Sequence, residues 1–194
     1  NDQAETVLMR ALRGTSAGGL AGIAPLRTQE GIKIVRPLLG ETREAILAWA
    51  GAENLAWRED ATNFACDADR TWIRNVLMPL IHAEYNPRAT QALSRLAESL
   101  QVEDALLRAL AAEGLREVDA EGGVSRAKFS ALHEALQRRV VQLLLSGLQI
   151  ETTSERVQGV VVFVREAATG QRFSLSGEYS LFAERERVRV VRDE

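Results

Sequence analysis

The sequence predicts a mainly α-helical chain that closes in a β-hairpin. Three observations carry this. Across 194 residues, apolar side chains recur at three- and four-residue spacing in one stretch after another. The composition is rich in Ala, Leu, Glu and Arg, and only 5% of residues are aromatic, a balance that favours helix over strand. Near the C-terminus the period switches to two: Phe173 and Leu175 alternate with Ser174 and Ser176, and residues 181–191 alternate again.

Residues 1–22 open with an amphipathic helix whose stripe is Ala4, Val7, Leu8, Ala11 and Leu12. Arg10 and Arg13 fall in its last turns, where cations suit the helix dipole. Gly14, Gly18, Gly19 and Gly22 then make a loop whose backbone can approach something closely. Ile32, Ile34 and Val35 read as a short strand closed by Pro37. Thr42 is an N-cap for a helix over 43–52, with Ile46 and Trp49 on its inner face. A loop follows over 53–69. The next helix covers 70–83 with Ile73, Leu77, Leu80 and Ile81 as its stripe, and Pro79 should kink or split it.

Asn86-Pro87 is a breaker and marks the expected domain boundary, giving domains 1–85 and 86–194. Ala89, Leu93, Leu96, Leu100, Leu107 and Leu110 mark a long helix that ends near Gly114. Residues 119–123 form a polar turn. Ser125 caps a helix with core candidates Leu132, Leu136, Val140, Leu143 and Leu144, ended by Gly147. Ser154 starts a third helix with Val157, Val160, Val161 and Val164 as its stripe, although VVVFV is also good strand sequence. Gly177-Glu178 turns the closing hairpin. The bland reading of its Arg185, Arg187, Arg189 and Arg192 is a solvent face rather than an RNA contact.

A net charge of −3 argues against a uniformly basic nucleic-acid binder and leaves room for a local basic face. Cys66 is the single cysteine, so an intrachain disulfide framework and a cysteine-ligated zinc or iron–sulfur site are excluded, and a reduced, cytoplasmic setting is the default. No apolar run approaches the ~18 residues of a membrane span, and no signal pattern opens the chain. The chain starts at Asn1 inside a motif, and is read as a fragment.

Several constellations could carry chemistry. Asp2 and Glu5, three apart, make either a capping box or a pair of hard oxygen ligands facing a Mg²⁺–nucleotide site. Arg70 and Arg74, four apart, share a helix face and serve either as salt-bridge partners of Asp67, Asp69 or Glu59 or as a guanidinium pair for phosphate or carboxylate. Arg36 follows the short strand. Residues 57–63, WREDATN, form an Asx-rich loop. His82 and His133 have no ligand-spaced partners and read as satisfied helix residues. No Gly-x-Ser-x-Gly, Walker A or zinc spacing occurs.

Four ordered blocks give a resemblance. Asp2-Gln3-Ala4-Glu5-Thr6 with Leu8, Arg13-Gly14-Thr15, Gly19-Leu20 and Gly22-Ile23 comes first. Arg36-Pro37-Leu38-Leu39 with Thr42, Arg43 and Ile46 comes second. Trp57, Glu59-Asp60, Thr62 and Asn63 come third, and Arg70, Ile73, Arg74 and Pro79 fourth, with Asn86-Pro87 after them. Together they resemble the tRNA(Ile)-lysidine synthetases, members of the PP-loop ATP pyrophosphatases. Ser16, Ala65 and Thr71 stand where that family usually carries Gly, an acidic residue and Asn.

The resemblance implies the edge of an α/β, Rossmann-like PP-loop domain over 1–85, followed by a helical tRNA- or substrate-binding domain over 86–194. It implies an ATP-dependent ligase that joins lysine to C2 of the wobble cytidine in a CAU anticodon. The implied catalytic residues are Asp2, Glu5, Arg70 and Arg74. Asp2, Glu5 and Arg36 would bind the cofactors ATP and Mg²⁺, with Asp2 and Glu5 on the metal. The expected partners are tRNA(Ile) with a CAU anticodon, free L-lysine and a second copy as a homodimer, with no membrane. The family's glycine-rich pyrophosphate loop is not among these 194 residues, so the chain alone is expected to be inactive. The competing readings are another PP-loop tRNA-modifying enzyme and a non-catalytic helical module that binds tRNA or protein.

Overall fold

The computed structural model describes residues 2–29, 31–58, 68–120, 123–176 and 178–193. Most of them are helical. The chain forms two compact units, Asn1–Asp104 and Ala105–Glu194.

The first unit opens with α1 (Asp2–Arg13), which buries Ala4 and Val7 as its period requires. Leu12, expected in the same stripe, is 64% exposed, because the buried face ends after the first two turns. The glycine loop holds a short helix, α2 (Ala17–Leu20), that was not foreseen. Next comes an antiparallel ribbon of β1 (Leu26–Gln29) and β2 (Ile32–Val35), with Leu26 opposite Val35 and Gln29 opposite Ile32. Only β2 was legible, since it carries the β-branched Ile32, Ile34 and Val35, whereas β1 reads LRTQ with a single large apolar residue; both strands are largely exposed.

Thr42 caps α3 (Arg43–Ala52) as expected, its Oγ1 accepting from the Ala45 amide at 3.1 Å. The expected inner face is wrong at Trp49, which is 60% exposed; Ala50 is the buried residue of this helix. The expected 70–83 helix is α4 (Ala68–Trp72), a π-helical turn (Ile73–Leu77) and α5 (Met78–Glu84). Pro79 has no N–H, and the wider turn before it, with the Met78 amide reaching the Ile73 carbonyl, is how the chain passes it without breaking. Ile73, Met78 and Ala89 form a small core to which Leu8, Met9, Leu77, Ile81 and Leu93 add. Leu80, expected in that stripe, is exposed.

Asn86-Pro87 breaks the helix, but the compact units divide later, within α6 (Ala89–Val118). The start of α6 belongs to the first unit because Ala89 joins its core and Gln101 bonds to its glycine loop. The helix also runs past Gly114, which faces Leu132 and Val140 at ordinary contact distances.

In the second unit the expected hairpin is part of a larger antiparallel sheet. Among the described residues it has five strands: β3 (Asp119–Ala120), β4 (Gly123–Ser125), β5 (Arg172–Ser176), β6 (Tyr179–Ala183) and β7 (Arg187–Arg192), in the order β3-β4-β7-β6-β5. The polar turn at 119–123 therefore carries two short strands, too short to show a period. Gly123 is what lets β4 pair with β7, since a Cβ there would lie 2.5 Å from the Val188 carbonyl oxygen. The helix expected after Ser125 is split into α7 (Arg126–Ala131) and α8 (Glu134–Gly147), with His133 Nδ1 accepting from the Ala135 amide at 3.2 Å as the cap of α8. The ambiguous VVVFV stretch is helical, α9 (Ser154–Glu166), capped by Thr153. Val157, Val160, Val161 and Val164 meet Phe129, Val140, Val141, Leu145, Leu175, Leu181 and Val188 in one buried core.

Candidate functional site

The site is built on the first turns of α1. Ala4 and Val7 turn inward, and Glu5 is carried with them: the carboxylate side chain is 3% exposed. A buried carboxylate is costly unless paired. Here it is paired twice, by residues 65 and 69 positions away. Arg74 donates Nε to Glu5 Oε1 at 2.8 Å and Nη2 to Glu5 Oε2 at 2.8 Å. Arg70 donates Nε to Oε2 at 3.1 Å. Asp2 closes the group, its Oδ1 lying 3.0 Å from Arg74 Nη2 and 3.2 Å from Arg70 Nη2. The four-residue spacing of Arg70 and Arg74 brings both guanidinium groups to the same pair of carboxylates, as a shared helix face allows.

Burial by itself would push the Glu5 carboxyl up, but hydrogen bonds and charge from Arg74 and Arg70 overcome it and hold the group below its ordinary value. Arg74 is correspondingly raised, chiefly by its hydrogen bonds to Glu5. Glu5 thus makes neither a capping box nor an open ligand; it clamps two arginines.

Asp2, Glu5, Arg36 and Arg74 line one cleft of about 990 Å³. Arg70 joins it through its bonds to both carboxylates. Arg36 is steadied by donating Nη1 to the Ala24 carbonyl at 3.2 Å. The β2–α3 segment adds Pro37, Leu38, Leu39, Arg43, Ile46 and Leu47 to the wall, and Trp57 and Arg58 follow. From α4 to α5 the residues Thr71, Asn75, Met78, Pro79 and His82 line it at helical spacing. Sequence reasoning missed Asn75 and the pair His82–Thr90, whose Nε2 and Oγ1 lie 3.0 Å apart; the 71–75–78–82 spacing was the available signal. The rest of the third block, Glu59 to Asn63, lies outside the described residues, as do Ala65, Cys66 and Asp67.

Three side chains fix the glycine loop behind the site. Gln3 accepts from the Ile23 amide at 2.7 Å and donates to its carbonyl at 3.3 Å. Arg10 donates to the carbonyls of Gly19 and Gly22, both at 2.9 Å. Gln101 donates to the carbonyls of Ala21 and Ile23 at 2.9 and 3.0 Å. The close approach expected of these glycines is to Gln3: Gly22, at φ +69°, leaves no room for a Cβ beside that amide.

The donors do not fit a Mg²⁺ ion held by Asp2 and Glu5 alone. Both Glu5 oxygens and one Asp2 oxygen already receive guanidinium N–H groups, and two positive charges already match the two carboxylates. Among the described residues no group of three His, Cys, Asp or Glu side chains could hold a metal. The sheet arginines are ion-paired: Arg187 and Arg189 meet Glu184 at 2.6 and 3.0 Å, and Arg192 meets Glu178 at 3.6 Å. Among the described residues no helix is long and apolar enough to cross a membrane.

Residues 1–81 match the model of a PP-loop domain family. The chain is 33% identical over 190 residues to the tRNA(Ile)-lysidine synthase of Alkalilimnicola ehrlichii, covering 97% of this chain and 42% of that protein. It is 46% identical over 113 residues to the enzyme of that name from Symbiobacterium thermophilum, covering 58% of this chain and 23% of that protein. With the one from Gloeobacter violaceus it shares 37% identity over 163 residues, 83% of this chain and 50% of that protein. The chain therefore spans half or less of the length of these relatives.

Proposed function

Starting from a chain that belongs to the PP-loop family over residues 1–81 and is related along nearly all its length to tRNA(Ile)-lysidine synthases, we propose that it serves ATP-dependent ligation of lysine to a tRNA. The substrates are tRNA(Ile) with a CAU anticodon, free L-lysine and ATP. In this reading the C2 oxygen of the wobble cytidine attacks the α-phosphorus of ATP and pyrophosphate leaves. The lysine ε-amine then attacks C2 and displaces AMP, losing a proton. The modified anticodon reads AUA.

The observation that carries this is the carboxylate-clamped arginine pair in a cleft. Phosphoryl transfer asks the protein chiefly to position groups and to meet negative charge. Arg74 spends Nε and Nη2 on Glu5 and Asp2, and its Nη1 takes part in none of these contacts. Arg70 and Arg74 are the residues proposed to meet phosphate, Arg36 a further nucleotide contact, and Glu5 and Asp2 the groups that hold the guanidinium planes in place. Fixed guanidinium groups lose less entropy on binding a phosphate than free ones.

The test is equilibrium binding of two transcripts to this chain, tRNA(Ile) with its CAU anticodon and the same tRNA with another anticodon, alongside binding of ATP. Preference for the CAU transcript and ATP binding lost in Arg74→Ala are expected. Equal affinity for both transcripts, or ATP binding indifferent to Arg74, would overturn the proposal.

A further inference from the structure

We infer that Trp57 is a stacking platform for a nucleobase in this cleft. The inference rests on the nucleotide reading above and deepens it. All three tryptophans of the sequence are half or more exposed: Trp49 at 60%, Trp57 at 53% and Trp72 at 52%. Of these, Trp57 alone lines the cleft. Single exposed apolar residues are ordinary on a surface. An indole left open in the same concavity as several guanidinium groups is a more specific arrangement.

The wall has two chemistries. The segment after β2 gives an apolar stretch, Pro37, Leu38 and Leu39, and Leu38 is itself 58% exposed. The helix side gives Arg74 with its carboxylate clamp. A nucleotide carries the counterpart of each, a flat π-surface and anionic oxygens. Arg58, next in sequence to Trp57, also lines the cleft and adds a cation that can meet a phosphate or stack on the base. Aromatic stacking tolerates any base, so the same platform could take the adenine of ATP or an unstacked base of an RNA loop.

The experiment uses the whole 194-residue chain carrying Trp49→Phe and Trp72→Phe, which leaves Trp57 as the sole tryptophan. Its fluorescence is titrated with ATP, with a CAU anticodon stem-loop RNA, and with that stem-loop carrying an abasic site at the wobble position. Quenching by ATP assigns the base as adenine. Quenching by the stem-loop but not by its abasic form assigns it as the wobble cytosine. In parallel, affinities of both ligands are measured by a method independent of fluorescence for Trp57→Ala, Trp57→Phe and the two control substitutions. Trp57→Ala should weaken binding about tenfold or more. Trp57→Phe should restore most of it, and the controls should have no effect. Ligand binding that depends on Arg74 but neither quenches Trp57 nor weakens in Trp57→Ala overturns this inference and leaves the functional proposal standing. Binding of neither ligand overturns both. Should the double-Phe chain not fold, the affinities of the single variants decide.

Discussion

Glu5 and Arg74 form a two-point ion pair, Nε to Oε1 and Nη2 to Oε2, each at 2.8 Å, across 69 residues of sequence. The carboxylate is buried while the guanidinium keeps 43% of its side chain exposed. The pair therefore has an inner, fixed end and an outer, available end. A planar guanidinium gripped along one edge has its rotation restricted, which is what positions its remaining donors.

Replacing Glu5 with Gln should lower stability at neutral pH by about 1–2 kcal/mol, because one partner of a buried, charge-assisted group is lost while the arginines can still reach water. The pH dependence follows from the lowered carboxyl. Glu5 has its ordinary carboxyl value when unfolded and a lower one when folded, so its contribution is full above the unfolded value and is lost as pH falls through the folded one. Urea midpoints of wild type and Glu5→Gln, measured from pH 7 down to pH 3, should converge at the acid end. A constant difference across that range would show that charge is not what the pair contributes.

Gly123 and Gly147 should respond oppositely to alanine. A Cβ at Gly123 meets the Val188 carbonyl oxygen, a backbone atom that cannot step aside without breaking the β4–β7 pairing. Gly123→Ala should cost about 1–3 kcal/mol. A Cβ at Gly147, the last residue of α8, meets nothing within 4 Å. Gly147→Ala should be neutral or stabilising by up to ~1 kcal/mol. Thermal unfolding of the two variants side by side checks both signs.

What the sequence made legible follows from the range of the interactions involved. The stripe of α9 and the caps of α3 are local and were readable from Val157 to Val164 and from Thr42. Asp2, Glu5, Arg70 and Arg74 were each identifiable as chemistry-bearing, but their mutual clamp was not, since nothing local tells Glu5 which of 24 Lys and Arg residues it will meet. β1, with its single large apolar residue, and the two- and three-residue strands β3 and β4 had no period to show. Trp49 was misplaced because its three-residue spacing from Ile46 put both on one inner face, whereas α3 buries only Ala50.

Arg126 should matter to the second unit more than a charged helix residue ordinarily does. Its guanidinium donates to the carbonyls of Val164, Ala167, Arg165 and Glu184 at 2.9, 2.7, 3.2 and 3.3 Å. Three of these acceptors are at the C-terminal end of α9, where carbonyls lack partners within the helix. Arg126→Lys keeps the charge but cannot span four carbonyls, so it should lose about 1–2 kcal/mol and speed amide exchange near Ala167. Unchanged exchange there would mean that water serves those carbonyls equally well.

The arginine pair should also set how RNA binding responds to salt. Phosphate contacts release counterions, so the logarithm of affinity falls linearly with the logarithm of salt, by roughly 0.7 to 0.9 per neutralised phosphate. With a net charge of −3, the chain has no uniform positive field to attract RNA, so local guanidinium groups must supply the attraction. Both sets of arginines are ion-paired and similarly exposed, Arg187 and Arg189 at 38% and 43% against Arg70 and Arg74 at 34% and 43%; what sets Arg70 and Arg74 apart is that Arg74 lines the cleft and Arg70 shares its carboxylates. Arg70→Ala with Arg74→Ala should therefore weaken tRNA binding and flatten the salt slope by about one to two. Arg187→Ala with Arg189→Ala should leave the slope unchanged. Asp2→Ala is the discriminating third variant. Asp2 is 61% exposed and touches both arginines through a single oxygen, while Glu5 holds them with two. Removing it deletes a negative charge near the RNA without freeing the guanidinium groups, so affinity should hold or rise slightly. Filter binding of labelled tRNA from ~50 to ~200 mM salt reads all three variants against wild type. A slope indifferent to Arg70 and Arg74 would move the RNA-binding surface elsewhere on the chain, and a steep loss in Asp2→Ala would mean that Asp2 rather than Glu5 holds the arginines in place.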